Sequence, residues 1–217
     1  MSRSETLSRL KELVIAAVVR ADDTDKALAA VQACYDGGVK IIEITFTVPE
    51  PIATLEAVDE EFGDSVLLGA GTVLGVDNAA AAIDAGAKFI VSPVTEPCVI
   101  ELCNEKDVPV MPGALTPTEI YSAWRAGADV VKVFPASLFG PKYFKALKAP
   151  LPQVPIMPTG GVSTATVADW LAAGAEVLPV GGALVDKQAM NDGRFDVITN
   201  NARELMAAVE EFRKGQQ

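Results

Sequence analysis

Residues 126–136 read Ala126-Gly127-Ala128-Asp129-Val130-Val131-Lys132-Val133-Phe134-Pro135-Ala136. An Ala-rich amphipathic stretch closes on Gly127, an apolar run follows at once, and Pro135 ends that run. Glycine just past a helix terminates it in left-handed geometry, a Val-rich run suits a strand buried on both faces, and proline halts the ladder. The unit is helix, tight turn, strand, loop. It recurs: Gly37-Gly38-Val39, Ala85-Gly86-Ala87 and Ala173-Gly174-Ala175 close other Ala-rich stretches and open other apolar runs, at intervals of roughly 40–50 residues, about two βα units.

Working outward from this unit, the chain offers eight strands: Val14–Val19, Ile41–Phe46, Val66–Ala70, Phe89–Ser92, Val108–Met111, Val130–Phe134, Val154–Pro158 and Val177–Val180. Helices are expected between them over Asp25–Tyr35, Glu50–Glu60, Asp77–Ala85, Glu96–Lys106, Pro117–Ala126, Pro141–Lys148 and Thr164–Ala173, with a last one near Arg203–Arg213. Strands alternating with helices imply a parallel sheet covered by helices. The expected fold is α/β, a (β/α)8 TIM barrel, with residues 1–217 as one domain and a helical lead-in before the first strand. A doubly wound sheet is the alternative, disfavoured because no Gly-rich fingerprint follows the first strand.

Composition removes whole classes of chemistry. The 217 residues are 50% hydrophobic, enough for a large core, and carry a formal charge of -11, against nucleic acid as a partner. There is no histidine, which excludes His triads, His metal sites and His relays. Cys34, Cys98 and Cys103 are odd in number and lack C-x-x-C spacing, as expected of reduced thiols in a cytoplasmic protein. The apolar run after MSRSETLSRLKEL is short and ends at Arg20 without a small-residue cleavage site, so it reads as helix into strand and not as a signal peptide. No apolar run reaches the roughly 20 residues of a membrane span, and no membrane partner is expected.

Lys132 is the lone charge in an apolar strand. A buried lysine is ordinarily a snorkelling side chain or half of an ion pair. Burial also lowers an amine's pKa, making a neutral nucleophile that attacks ketones available near pH 7. Glu43 poses the same question in Lys40-Ile41-Ile42-Glu43-Ile44-Thr45-Phe46, where alternation puts it on the face of Ile41, opposite Ile42 and Ile44. The two could be a structural pair. Two unlike ionisable groups alone in an apolar interior favour a nucleophile with a proton shuttle.

Barrel chemistry gathers at the C-terminal strand ends. Those ends carry Arg20, Thr45 and Thr47, Thr72, Ser92-Pro93, Pro112-Gly113, Thr159 and the pairs Gly160-Gly161 and Gly181-Gly182. Glycine pairs permit tight turns, but two pairs after the last two strands also expose backbone amides where barrels bind phosphate.

Together, Glu43-Ile44-Thr45, Gly69-Ala70-Gly71-Thr72-Val73, Ser92-Pro93, Met111-Pro112-Gly113, Lys132-Val133-Phe134-Pro135-Ala136 and Pro158-Thr159-Gly160-Gly161-Val162 resemble the 2-keto-3-deoxy-6-phosphogluconate and 4-hydroxy-2-oxoglutarate aldolases, from about Val14 to Val185. The resemblance implies a cytoplasmic class I aldolase, a homotrimer without metal or cofactor, acting on a keto acid made of pyruvate plus an aldehyde. It implies a Schiff base at Lys132 and acid/base work at Glu43. Thr72 and Arg20 would receive the pyruvate carboxylate, Pro93 and Phe134 would wall the pocket, and Thr159 would touch the hydroxylated part of the substrate. Gly160, Gly161, Gly181 and Gly182 would surround phosphate.

Two positions depart from that pattern. Thr47 stands where some members have an Arg carboxylate receptor, which moves that role to Arg20. Gly182 stands where many have Ser, which removes a hydroxyl donor to phosphate. Ser137-Leu138-Phe139-Gly140-Pro141-Lys142-Tyr143 also resembles the related phosphogalactonate aldolases, but those tend to be apolar at the position of Thr159. The rival readings are a phosphate-binding isomerase or synthase that uses Lys132 only as a charge, and a non-catalytic sugar-phosphate barrel.

Overall fold

A computed structural model describes residues 1–216. Its strands are β1 (Ile15–Val19), β2 (Ile41–Thr45), β3 (Leu67–Gly71), β4 (Ile90–Val91), β5 (Val110–Met111), β6 (Gly113–Ala114), β7 (Val131–Val133), β8 (Ile156–Pro158) and β9 (Leu178–Val180). All pairings are parallel, in the orders β5-β4-β3-β2-β1-β9 and β6-β7-β8. Two joints close these runs into a ring. Pro112, which cannot donate to a ladder, splits one strand into β5 and β6. At the other side Ile156 bridges Ala175, and the Glu176 amide donates to the Ile156 carbonyl at 3.0 Å. The result is the expected (β/α)8 barrel.

The helices are α1 (Arg3–Leu13), α2 (Thr24–Asp36), α3 (Pro51–Phe62), α4 (Val76–Asp84), α5 (Pro97–Glu105), α6 (Pro117–Arg125), α7 (Pro141–Lys148), α8 (Val167–Ala172), α9 (Lys187–Asn191) and α10 (Phe195–Lys214). Proline opens α3, α5, α6 and α7, where its missing N–H is no loss. Ser2 with Glu5, and Thr116 with Glu119, form capping boxes on α1 and α6. The predicted glycine stops hold: Gly38, Gly86, Gly127 and Gly174 have φ of 94°, 103°, 109° and 89°.

Three helix expectations need correction. The last helix starts at Phe195, not Arg203, because Ile198, Ala202, Leu205 and Val209 continue one buried stripe through a polar stretch. The short α9, capped by Asp186, was not anticipated. The expected start of α8 at Thr164 falls in a turn, where the Thr166 hydroxyl accepts from the Ser163 amide, and the helix begins at Val167.

Two cores result. The larger lies between strands and helices and contains Ile42 and Ile44; the smaller fills the barrel with Ala16, Ile41, Leu67, Phe89, Met111, Val130, Met157 and Val177. Helix α1 closes the bottom by sending Leu10 into that interior, with Leu7 and Leu13 beside it. Arg3 anchors the helix to Asp129 through Nε at 2.9 Å and Nη2 at 2.8 Å. Truncating Leu10 to alanine would open a cavity at a cost of about 2–5 kcal/mol. No described helix is long and apolar enough to cross a membrane.

Candidate active site

One alternation step above the apolar filling, the same inward faces carry polar groups. Two residues beyond Ile41 is Glu43, two beyond Val130 is Lys132, and two beyond Met157 is Thr159. Strands β2 and β7 lie across the ring from each other, with β3, β4 and β5–β6 on one side and β1, β9 and β8 on the other. Glu43 and Lys132 therefore reach into the barrel from opposite walls. They are 3% and 4% exposed, the only charged residues buried among those described.

Among the described residues neither forms a salt bridge or a side-chain hydrogen bond, so the structural ion pair is not what this site contains. They still sense each other. Burial lowers the Lys132 pKa, Glu43 opposes that shift and the Arg20 charge adds to it. Burial raises the Glu43 pKa, against the pull of Lys132 and Arg20. Desolvation thus drives both groups toward their neutral forms, an amine that can attack and a carboxyl poised to exchange protons.

The surroundings are shaped for these two groups. A Cβ on Gly71 would collide with the Glu43 carboxylate, so the bare backbone of β3 makes its seat. Thr72 follows with φ of 58°, a left-handed conformation that strains a β-branched residue. The Thr45 hydroxyl donates to the Val19 carbonyl at 3.1 Å and lies 2.6 Å from the Thr47 hydroxyl, which ties Thr47 into the wall. The Phe134 ring covers Lys132, with Nζ 5.3 Å from its centroid, and is itself 40% exposed.

Above this pair opens a cavity of about 470 Å³. Arg20, Phe134, Thr159, Gly160, Gly161, Gly181 and Gly182 all line it, bringing together most of the residues expected to bind substrate. Val18, Val162, Ser163, Pro179 and Ala183 join them, unforeseen from sequence although Val18 and Pro179 sit two residues beyond interior positions. Among the described residues, the amides of Gly160, Gly161, Val162, Gly182 and Ala183 have no acceptor. Thr159 Oγ1 is buried without a hydrogen-bond partner. Arg20 packs on Gly181, its Nη1 3.2 Å from where a Cβ would stand. The lining contains no carboxylate, in a chain of net charge -11. Unpaired amides and one guanidinium make a seat for an anion.

Pro93 lies apart from this cavity. It borders a second one of about 300 Å³ on the other side of Phe134, where Gly113 lets β6 approach the Pro93 backbone. Thr72 borders neither cavity. Among the described residues no three His, Cys, Asp or Glu side chains are placed to hold a metal.

Comparison with known proteins finds a family and relatives for this chain. The family model described as KDPG and KHG aldolase matches residues 6–201. The 2-dehydro-3-deoxy-6-phosphogalactonate aldolase of Escherichia coli is 37% identical over 174 residues, 80% of this chain and 85% of that protein. The 2-dehydro-3-deoxy-phosphogluconate aldolase of Treponema pallidum is 36% identical over 207 residues, 94% of this chain and 96% of that protein. Among solved structures, the KDPG aldolase from Legionella pneumophila, with pyruvate captured at low pH as a covalent carbinolamine intermediate, superposes with a TM-score of 0.85 at 25% identity, covering 94% of this chain and 98% of that one.

Proposed function

The chain belongs to the KDPG and KHG aldolase family and is a carbon–carbon lyase, and on that premise we propose that it cleaves 2-keto-3-deoxy-6-phosphogluconate to pyruvate and glyceraldehyde 3-phosphate, with Lys132 as the Schiff-base nucleophile and Glu43 as the proton shuttle. The observation that carries this reading is the burial of those two groups, opposed across the barrel and unpaired, beneath a cavity of donors. The carbinolamine in the Legionella pneumophila relative supports the covalent step.

In the proposed cycle the neutral Lys132 amine adds to the C2 carbonyl. Glu43 helps to expel water and leave a protonated imine. The imine accepts the electron pair as the C3–C4 bond breaks, while the C4 hydroxyl proton passes to the Glu43 carboxylate. Aldehyde leaves and an enamine remains. Glu43 returns the proton to C3, and hydrolysis frees pyruvate and the amine. Arg20 receives the pyruvate carboxylate, with Thr72 supporting it from the end of β3 outside the main cavity; Phe134 walls the pocket with Pro93 behind it on its far side, Thr159 hydrogen-bonds the hydroxylated segment, and Gly160, Gly161, Gly181 and Gly182 surround the phosphate. Cleavage of 4-hydroxy-2-oxoglutarate to pyruvate and glyoxylate follows from the same chemistry. Exposed Leu138 and Phe139 near the barrel mouth support assembly as a homotrimer, and the three unbridged cysteines support a cytoplasmic setting.

A second reading keeps the chemistry and changes the C4 epimer. The E. coli relative is a phosphogalactonate aldolase, and the present chain carries the hydroxyl of Thr159 at the cavity foot, which favours the gluconate epimer. Side-by-side kcat/KM for the two epimers decides between them. The primary test is intact mass after incubation with pyruvate and borohydride. A gain of one reduced pyruvate on the Lys132 peptide is expected, and Lys132→Ala should lose both the adduct and turnover. An unshifted mass in folded protein would overturn the covalent mechanism.

A further inference from the structure

Phe134 stands two residues beyond Lys132, one alternation step higher on the same inward face. The backbone is pinned on both sides of it. The Phe134 amide donates to the Ala114 carbonyl at 3.0 Å, and the Ala136 amide donates to the Thr159 carbonyl at 2.9 Å. The ring is a partition, bordering the cavity of about 470 Å³ and also the one of about 300 Å³. It belongs to none of the aromatic pairs among the described residues. What it does meet is Lys132. Nζ lies over the ring, 5.3 Å from its centroid, inside the roughly 6 Å at which an aromatic face attracts a cation.

The charged groups nearby leave this contact a role. Glu43 acts on Lys132 from β2, and Arg20 from the end of β1. Glu119, beyond the ring on the border of the second cavity, is occupied by its own helix, accepting from the Leu115 and Thr116 amides at 2.9 and 2.8 Å. Among the described residues no carboxylate comes within salt-bridge distance of Lys132 Nζ. A carboxylate at that distance would hold the amine protonated and unable to attack. Yet imine formation leaves an obligate positive charge on this nitrogen, in a site from which water is largely excluded. The charge calls for a partner that cannot take the proton. An aromatic face is one, because its negative quadrupole attracts a cation and has no lone pair to protonate.

We propose that the Phe134 ring stabilises the protonated imine on Lys132 by a cation–π contact, beyond its part as a wall of the pocket. This rests on the Schiff-base reading given above. The step balances differently on the two sides of the lysine titration. When the amine is neutral, amine, ketone and one proton give the protonated imine and water, so a charge appears under the ring. When it is already an ammonium, ammonium and ketone give the protonated imine and water, and the charge under the ring is unchanged. The ring attracts both cations alike. The contact therefore favours imine formation above the Lys132 pKa and cancels below it. A ring that acts only through its bulk gives the same effect at every pH.

The test replaces Phe134 in the full chain with mono-, di- and trifluorinated phenylalanine, which keep the ring's shape and progressively weaken the negative potential of its face. Cyclohexylalanine at the same position keeps the bulk and has no π face. The pyruvate concentration that converts half of the protein to its reducible Lys132 adduct is read by intact mass after a borohydride quench at each pH. Above the lysine titration it should rise in step with fluorination, about tenfold from phenylalanine to the trifluorinated ring, and at least as far with cyclohexylalanine. Below the titration all the proteins should agree within about twofold. A value that ignores fluorination at every pH, or that moves equally on both sides of the titration, overturns the cation–π assignment and leaves the Schiff base standing. A folded wild type that forms no adduct overturns both.

Discussion

Gly71 is bare because the Glu43 carboxylate occupies the space its side chain would take. The register pairs Thr45 with Gly71 and Glu43 with Gly69, so the carboxylate leans along the barrel axis onto the next inward position of β3. Gly71→Ala should push that carboxylate off its seat while the strands stay paired. The expected loss is about 10²-fold in kcat, of the size that an ångström of misplacement produces in a reacting group. Steady-state kinetics with a circular dichroism check would measure it, and an unchanged kcat would remove Glu43 from the proton path.

The charges around Lys132 predict opposite pH shifts. A proton on the amine blocks its attack, so cleavage should rise with pH through the Lys132 pKa, which burial places below the ordinary lysine value. Glu43 opposes that lowering. In Glu43→Gln the acid limb of kcat/KM should therefore move to lower pH, with a plateau about 10²–10⁴-fold down because the shuttle is gone. Arg20 contributes to the lowering, and Arg20→Met should move the limb to higher pH. Profiles of the three proteins would check the signs, and shifts in the same direction would contradict the arrangement.

Thr159 Oγ1 is fully buried and, among the described residues, has no hydrogen-bond partner. Such a hydroxyl costs roughly 1–3 kcal/mol in the absence of a ligand. Thr159→Val keeps the shape and removes that cost, so the variant should melt higher, by roughly 2–4 °C for each kcal/mol recovered in a chain of this length. Its kcat/KM for the hydroxylated keto acid should fall about tenfold or more. Calorimetry and cleavage assays together test this, and a less stable variant would mean that the hydroxyl is satisfied within the fold.

Thr72 holds a left-handed backbone at the end of β3. Glycine adopts that φ freely, so Thr72→Gly trades relief of about 1–3 kcal/mol of strain against about 0.5–1 kcal/mol of added unfolded-chain entropy. The melting temperature should hold or rise. Loss of the hydroxyl should raise KM for the keto acid about tenfold, as expected when a hydrogen bond to a carboxylate is removed. A variant that melts lower at unchanged KM would count against both halves of this account.

The fold was legible because its signals were local. Val- and Ile-rich runs, glycine stops and helix-opening prolines each act within a few residues, and strand ends fell within about two residues of expectation at most positions. The break at Pro112 and the early start of α10 were hidden for different reasons. The first depends on how two neighbouring strands share a ladder, and the second on a buried stripe interrupted by Thr, Asn and Arg. Lys132 and Glu43 could be found because a charge in an apolar strand is conspicuous anywhere. Gly71 and the Thr72 backbone could not, since their importance is a matter of what stands opposite them in space.

Leu10 and the rest of α1 turn the barrel into a cul-de-sac. Whatever enters must leave by the same door, and the two halves of a cleaved keto acid cannot pass each other on the way out. In the proposed mechanism the fragment bonded to Lys132 lies toward the closed end, while the other fragment stands at the threshold. Departure in that mechanism is a queue, aldehyde first and pyruvate second, and the reverse synthesis loads pyruvate before the aldehyde.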